Sequence, residues 1–345
     1  MRLNDQSPNS PVPDDLNVIV ERLRTAIRRR FGASAAIGNI DLATMGGSNR
    51  TVLFDVTTGA SKRRLVLRQE TYTFAYSPFL PPPTQYQLIE VAYAHRVPVP
   101  EPIFELEPVD GLGRGYLLAG VDGETLPKRL LTDPAFAPAR ALCLQQVGDI
   151  LARLHAIDPG EVALLAALPD SRDPLAAQVS HYDHYGEPHP AIEFAFRWLE
   201  RHRPAASPGV FLHGDFRTGN FIVGPEDGIR SLLDWECAYI GPPEADFGWF
   251  CTRSWRFGNF DQPAGGFGSR AALFDAYEAA GGRKVDREAV RWWEIFGLVK
   301  WALFNVMQIH GHVSGARRSP VYAACGRNTC LIEYDLLMTI AGKFD

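Results

Sequence analysis

The feature that most constrains this 345-residue chain is a polar loop held between two apolar runs, at residues 211–223. The run reads Phe-Leu-His-Gly-Asp-Phe-Arg-Thr-Gly-Asn-Phe-Ile-Val, and its pattern predicts two short strands joined by a Gly-containing loop. The loop carries Asp215 and Asn220, and a following apolar run ends at Asp234, fourteen residues after Asn220. Three oxygen-bearing side chains are therefore placed at strand ends within one short stretch of chain.

The complete motif is rarer than the residue pair that it contains. A His-x-Asp pair alone is common and usually forms a turn, whereas the same pair with Asn five residues after the Asp should arise by chance in roughly one chain per thousand. The structural alternative is a β-hairpin with a polar loop, in which Asp215 forms a turn and Asp234 ends a strand.

The same residue types suit phosphoryl transfer. This chemistry needs a carboxylate that orients an acceptor hydroxyl and oxygen ligands that hold Mg²⁺ against the phosphates. We expect Asp215 to be the catalytic base, and Asn220 and Asp234 to be the metal ligands, since Mg²⁺ takes one or two protein oxygens beside phosphates and water.

Composition excludes several classes of protein. The net charge of −5 gives no sign of a nucleic-acid-binding surface, and no apolar run approaches the roughly 18 residues of a membrane span. The five cysteines are odd in number and form no Cys-x-x-Cys pair, which favours a reduced, cytoplasmic protein. The oligomeric state stays open.

The order of patterns predicts an α+β fold. Residues 1–15 are polar and Pro-rich, as in a disordered lead-in. Residues 16–120 combine a helix at Leu16–Phe31 with an antiparallel meander of strands, and residues 121–345 are mainly helical. We expect a small N-terminal lobe with an antiparallel sheet and a larger, mainly helical C-terminal lobe.

The chain resembles the aminoglycoside phosphotransferase/choline kinase family, whose members share a bilobal protein-kinase-like fold. The likeness is carried by the loop from His213 to Asn220, by Asp234-Trp-Glu236 and by Gly241-Pro-Pro-Glu-Ala-Asp246-Phe. A finer resemblance is to the subfamily associated with acyl-CoA dehydrogenases. It is carried by Ser48-Asn49, by Val66-Leu-Arg68 and by the tail motif Gly326-Arg … Glu333-Tyr-Asp-Leu-Leu337. The resemblance implies an ATP- and Mg²⁺-dependent O-phosphotransferase with a small-molecule acceptor and Asp246 as a brace of the catalytic loop.

A second Gly-rich turn predicts the phosphate side of the nucleotide site. Glycines allow close backbone approach to phosphate, and the candidate residues are Gly46, Gly47, Ser48 and Asn49. Arg68 stands where kinase-like folds usually have Lys, and guanidinium can grip phosphate bidentately. We expect Glu90 to be its ion-pair partner, with Glu70 as the poorer choice.

Two further residues of the catalytic loop, Arg217 and His213, are open to more than one interpretation. Arg217 follows Asp215 by two residues and could offset charge on the γ-phosphate, although a surface arginine fits the pattern nearly as well. His213 is interpreted as a hydrogen-bonding brace for the loop and not as an acid–base group.

The surface that binds the acceptor molecule, here called the acceptor wall, is expected within residues 251–345. This segment holds 12 Lys/Arg and 9 Asp/Glu, a net charge of +3. The segment is also rich in tryptophan, at 255, 292, 293 and 301, of which the last three also suit a plain core. An apolar or anionic acceptor, such as a hydroxyacyl compound, fits this wall better than a polycationic aminoglycoside. The alternatives are an aminoglycoside- or choline-type kinase, and a catalytically impaired nucleotide-binding module in which Arg68 marks lost turnover.

Overall fold

The protein is described by a computed structural model that covers residues 15–42, 49–71 and 77–344. Internal contacts divide it into two compact units. The first comprises Met1–Asp122 with Ser231–Cys237, and the second comprises Gly123–Arg230 with Ala238–Asp345. The short segment that contains Asp234 therefore belongs to the first unit, although it lies far along the chain.

The first unit is built on a five-stranded antiparallel sheet with the strand order β1-β2-β3-β5-β4. Its elements in chain order are α1 (Leu16–Phe31), β1 (Ala36–Leu42), β2 (Asn49–Thr58), β3 (Ser61–Glu70), α2 (Pro82–Ala94), β4 (Pro102–Glu105) and β5 (Gly115–Ala119).

One face of this sheet packs against α1. The helix begins where Asp15 caps its first turn, and it buries an apolar stripe of Ile19, Leu23 and Ile27. Alternate residues of β2 and β3 complete the core, including Phe54 and Leu67. Since side chains alternate across a strand, burial of Leu67 directs its neighbour Arg68 to the other face of the sheet.

The second unit is mainly helical. Its helices are α3 (Pro127–Thr132), α4 (Ala137–His155), α5 (Pro169–Arg172), α6 (Pro174–Tyr185), α7 (Pro190–Arg201), α8 (Glu244–Cys251), α9 (Arg270–Ala279), α10 (Arg287–Val313) and α11 (Pro320–Ile340). Its strands are β6 (Val210–Leu212), β7 (Phe221–Gly224) and β9 (Tyr239–Gly241), and β8 (Gly228–Leu232) carries the chain into Ser231–Cys237.

The long helix α10 is the centre of the second unit's core. Trp292 and Trp293 are buried there with Phe296, among apolar residues of α7 and α11. The interpretation of Trp292 and Trp293 as core residues is therefore confirmed, whereas Trp301 on the same helix is only half-buried. In the described part of the chain, no helix combines the length and apolar character needed to cross a bilayer.

The predicted α+β class, with a small antiparallel sheet ahead of a larger helical part, is confirmed. The β-hairpin alternative for the motif loop is wrong. The two strands that flank the loop do not pair with each other, because β6 pairs with β9 and β7 pairs with β8. The loop consequently joins two separate two-stranded sheets.

Candidate active site

The loop after β6 is fixed through its backbone. The amide groups of His213 and Gly214 each donate to the carboxylate of Asp246, over 2.9 Å. Gly214 adopts a φ of 73°, a left-handed conformation that favours glycine. The amide of Asp215 donates to Nδ1 of His213 over 3.2 Å. Within the second unit, His213 and Asp246 thus make the bracing contacts that the sequence indicated.

Asp246 is almost wholly buried, at 1% exposure. Burial opposes its ionisation, but hydrogen bonding and the charge of His155, together with His213 and the Gly214 amide, hold the pKa of Asp246 below its ordinary value. His155 lies 3.3 Å from the carboxylate, and its other ring nitrogen lies 3.1 Å from the hydroxyl of Tyr277. The brace is therefore a buried network that ends at an ionised carboxylate.

The carboxylate of Asp215 accepts three hydrogen bonds. Oδ1 accepts from Nε of Arg217 at 3.0 Å and from the indole Nε1 of Trp249 at 2.8 Å. Oδ2 accepts from Nδ2 of Asn220 at 2.6 Å. A carboxylate has about four acceptor positions, so one remains on Oδ2 for an incoming donor. This arrangement suits a group that accepts a hydrogen bond from a substrate hydroxyl.

Asn220 is oriented by the same loop. Its Nδ2 also donates to the main-chain oxygen of Asp215 over 2.9 Å, so both contacts use the amide nitrogen. The amide oxygen is the atom left for a metal. Asp234 offers a carboxylate in the first unit, at a left-handed φ of 63°. An amide oxygen and a carboxylate are each hard oxygen donors of the kind that Mg²⁺ binds.

Arg68 contacts Asp234, and not the glutamate expected from sequence. Its Nη2 lies 2.7 Å from Oδ1 of Asp234, and Nη1 donates to Oγ1 of Thr51, its cross-strand neighbour on β2, over 2.9 Å. Burial is the largest single influence and lowers the pKa of Arg68, but the charges of Asp234 and Glu236, together with the contact with Tyr116, raise the pKa overall. The predicted pairing with Glu90 is wrong, because Glu90 is exposed and hydrogen-bonds to Tyr86 instead.

The second choice, Glu70, is also wrong as a partner of Arg68, since its carboxylate accepts from Arg114 over 2.7 Å. The Gly-rich turn is only partly described: Gly46, Gly47 and Ser48 lie outside the described residues. Asn49 begins β2, and its side-chain nitrogen Nδ2 lies 3.5 Å from the carboxylate oxygen Oε2 of Glu236.

Arg217 lies beside the expected acceptor wall. Its guanidinium is 4.6 Å from the ring centroid of Trp255, a distance typical of a cation–π contact. Trp255 in turn contacts Trp301, at 5.0 Å between centroids, and Phe257, at 6.3 Å. Arg217 is therefore held between the carboxylate of Asp215 and an aromatic cluster, and is not a free surface arginine.

Sequence reasoning missed two residues of this site, Trp249 and Lys300. Nζ of Lys300 donates to the main-chain oxygen of Gly214 over 2.8 Å from a buried position on α10. One signal was present: Lys300 is the only charged residue between Ile295 and Ile309. A lone charge in an apolar helical run indicates a buried partner. Trp249 carried no comparable signal, because it lies in an apolar run.

Comparison with curated proteins finds partial relatives. Over 177 residues the chain is 27% identical to acyl-CoA dehydrogenase family member 10 from Mus musculus, a match that covers 48% of this chain but 16% of that protein. The match thus spans only a small part of the length of that relative.

Two examples represent the solved structures that share the fold. One is provisionally described as an aminoglycoside phosphotransferase from Ralstonia eutropha JMP134, with a TM-score of 0.68, 21% identity and coverage of 94% of this chain and 98% of that one. The other is an ethanolamine kinase from Plasmodium vivax, with a TM-score of 0.63, 12% identity and coverage of 94% and 90%. A model of the phosphotransferase enzyme family matches residues 40–293, well over half of the chain. The chain belongs to the phosphotransferase enzyme family.

Proposed function

We propose that this protein is an ATP- and Mg²⁺-dependent O-phosphotransferase that acts on the hydroxyl group of a small, apolar or anionic molecule such as a hydroxyacyl compound. Family membership supports the coarser assignment, a small-molecule kinase. The observation that carries the proposal is the carboxylate of Asp215, which is held by three donors and keeps one acceptor position on Oδ2.

The residues of the second unit perform the acceptor half of the reaction. Oδ2 of Asp215 accepts a hydrogen bond from the acceptor hydroxyl and holds its oxygen in line for transfer, which is the main source of catalysis in this chemistry. Arg217 is held against Oδ1 of the same carboxylate and would offset the negative charge that develops during transfer. Asp215 and Arg217 are thus the proposed catalytic residues.

The proposed metal ligands are the amide oxygen of Asn220 and the carboxylate of Asp234. When bound there, Mg²⁺ would neutralise part of the charge of the phosphates. Arg68 forms an ion pair with the Asp234 carboxylate, and it would exchange this contact for phosphate oxygens when nucleotide binds. We assign nucleotide binding to a lobe of residues 16–120, and catalysis and acceptor binding to residues 121–345.

The remaining nucleotide contacts are proposed from the sequence alone. Gly46, Gly47, Ser48 and Asn49 would present backbone and side-chain donors to the phosphates. Glu90 does not pair with Arg68 in the structure. Its proposed place in the nucleotide site rests only on its position in α2.

The acceptor class is proposed from charge and surface chemistry. Residues 251–345 carry a net charge of +3, and the partly exposed Arg217, which lies over the buried ring of Trp255, presents a cationic surface beside Asp215. A polycation would be repelled by such a surface, whereas an apolar anion would be attracted. The partial match to an acyl-CoA dehydrogenase family member supports a hydroxyacyl acceptor in particular.

The test has two stages. Calorimetry with Mg·ATP measures nucleotide binding by the wild type and by Asp234→Ala, which should bind at least tenfold more weakly because it lacks a metal ligand. Phosphate transfer is then measured on a panel of hydroxyl compounds that includes hydroxyacyl thioesters, choline and kanamycin.

The decisive variant is Asp215→Asn, with Asp227→Asn as the control because Asp227 is an exposed carboxylate paired with Arg230. We expect Asp215→Asn to lose about 10²–10⁴-fold in kcat while it still binds Mg·ATP. Full activity in Asp215→Asn would refute the assignment of the base.

One observation favours a second candidate, a nucleotide-binding module with impaired catalysis. The ion pair between Arg68 and Asp234 occupies a proposed metal ligand, and a tight pair would oppose metal binding. Tight binding of Mg·ATP without transfer to any member of the panel would favour this candidate.

A further inference from the structure

Trp249 is placed where it can control the direction of the Asp215 carboxylate. It lies in α8, three residues after Asp246, and its side chain is 4% exposed. An indole has a single donor group and no acceptor, so its N–H makes one directional contact. That contact is to Oδ1 of Asp215, over 2.8 Å.

The position of Trp249 is itself fixed by Lys300. Nζ of Lys300 lies 4.9 Å from the Trp249 ring centroid and donates to the oxygen of Gly214, the residue just before Asp215. One buried ammonium group therefore contacts both the indole and the backbone of the loop. A cation in this position gains from the aromatic face and from the carbonyl dipole.

Two glycines allow α8 and α10 to approach closely enough for these contacts. A Cβ added at Gly248 would lie 2.4 Å from the Cβ of Trp293, and one at Gly297 would lie 3.2 Å from Cε3 of Trp249. Side chains at either position would push the helices apart. The close approach places Lys300 of α10 over the indole carried by α8.

We propose that Trp249 is a positioning residue for Asp215 and that Lys300 holds both Trp249 and the loop in place. Because Arg217 and Trp249 both donate to Oδ1, that oxygen is saturated and the open acceptor position is confined to Oδ2. The terminal torsion of aspartate is otherwise broad, so a carboxylate without these donors would turn freely. The inference rests on the proposed function, since it concerns the same base.

The matched pair of variants is Trp249→Phe and Trp293→Phe. Both side chains are buried to a similar degree, at 4% and 5% exposure, and both variants lose the same indole volume. They differ in the donor, because Nε1 of Trp293 has no hydrogen-bond partner among the described residues. Any loss confined to Trp249→Phe therefore reports the contact with Asp215 and not the smaller side chain.

The first readout does not require turnover. Indole N–H resonances are followed by two-dimensional ¹⁵N NMR in the wild type and in Asp215→Asn. We expect the Trp249 resonance to move upfield when its acceptor loses its charge, while the Trp293 resonance stays in place. A Trp249 resonance that does not respond to Asp215→Asn would overturn the inference, whether or not an acceptor is known.

The second readout is kinetic, with Mg·ATP and either the best acceptor of the panel or water as the acceptor. We expect Trp249→Phe to lower kcat by about 10- to 100-fold with an unchanged KM for Mg·ATP, as for loss of one hydrogen bond to a charged group. Trp293→Phe should stay within about twofold. Equal losses in the two variants would overturn the inference.

A double-mutant cycle separates positioning from general structure. If Trp249 acts through Asp215, Trp249→Phe should cause no further loss of rate in the Asp215→Asn background. An undiminished further loss would assign Trp249 a structural role and overturn the inference. Lys300→Met should lower kcat and shift the Trp249 resonance. A wild-type protein that shows no turnover with any acceptor would refute the proposed function and not this inference.

Discussion

Asp246→Asn is the sharpest available test of how the catalytic loop is held. The substitution keeps the shape of the side chain but removes its charge and one acceptor oxygen. In the wild type the two carboxylate oxygens accept from the amides of His213 and Gly214, and His155 contacts one of them. In the variant one backbone amide must face an NH₂ group, or the side chain must turn away from both.

The expected cost follows from burial. A hydrogen bond to a charged group contributes about 1.5–3 kcal/mol, and leaving a buried donor without a partner costs about 1–3 kcal/mol. Removal of one member of a buried charged network typically destabilises by about 3–5 kcal/mol. At 1% exposure Asp246 has no solvent to replace the lost contacts. We therefore expect the free energy of unfolding to fall by about 3–5 kcal/mol at pH 7.

The effect should depend on pH in one direction. The folded-state pKa of Asp246 lies below its ordinary value, so its ionised form stabilises the protein above the unfolded-state pKa of about 3.9. That stabilisation is lost as the pH falls through the folded-state pKa. The difference between wild type and variant should be constant from about pH 5 to pH 8 and should shrink below about pH 4.

The assay is urea unfolding followed by tryptophan fluorescence, with Asp227→Asn as the control. Asp227 pairs with Arg230 on the surface, and its loss should change the free energy of unfolding by less than about 0.5 kcal/mol. A change below about 1 kcal/mol in Asp246→Asn, or a difference that grows in acid, would refute the reasoning.

Three further predictions concern Arg68, Asp55 and the class of acceptor. Arg68→Met should weaken binding of Mg·ADP by about tenfold in calorimetry, because the cation beside Asp234 is lost. The control variant Arg63→Met should bind Mg·ADP as the wild type does. Wild-type affinity in Arg68→Met would exclude a phosphate role for Arg68. The carboxyl group of Asp55 should titrate with a pKa of about 2 by NMR, because Lys62 and other donors stabilise its ionised form. The contribution of Asp55 to the stability of the folded protein should therefore be lost as the pH falls from about 4 to about 2. Lys62→Met should raise the pKa of Asp55. Kanamycin should produce no increase in ATP hydrolysis, and a strong drug-dependent rate would contradict the proposed acceptor class.

Local pattern was sufficient for much of the fold. The helix predicted at Leu16–Phe31 has those bounds in the structure, because an apolar stripe and an Asp cap define it within sixteen residues. The helical character after residue 121 was equally visible. Among the later helices, α11 begins at Pro320, where Ser319 caps it.

The candidate site was predictable only in part. The motif from His213 to Asn220 identified the loop, and the loop's internal contacts follow from its own spacing, as between Asp215 and Asn220. The partner of Arg68 was not predictable, because Asp234 is 166 residues away along the chain. Glu90 was nearer in sequence, but its position on α2 leaves it exposed.

Local sequence was enough to identify the residue types for phosphoryl transfer and the helices and strands that carry them, because capping and periodicity act over a few residues. Folding of the whole chain was needed to establish that β6 pairs with β9, that Arg68 contacts Asp234 and that Trp249 and Lys300 contact the loop. These contacts depend on the packing of segments far apart in the chain, and the directions of their side chains are set by that packing.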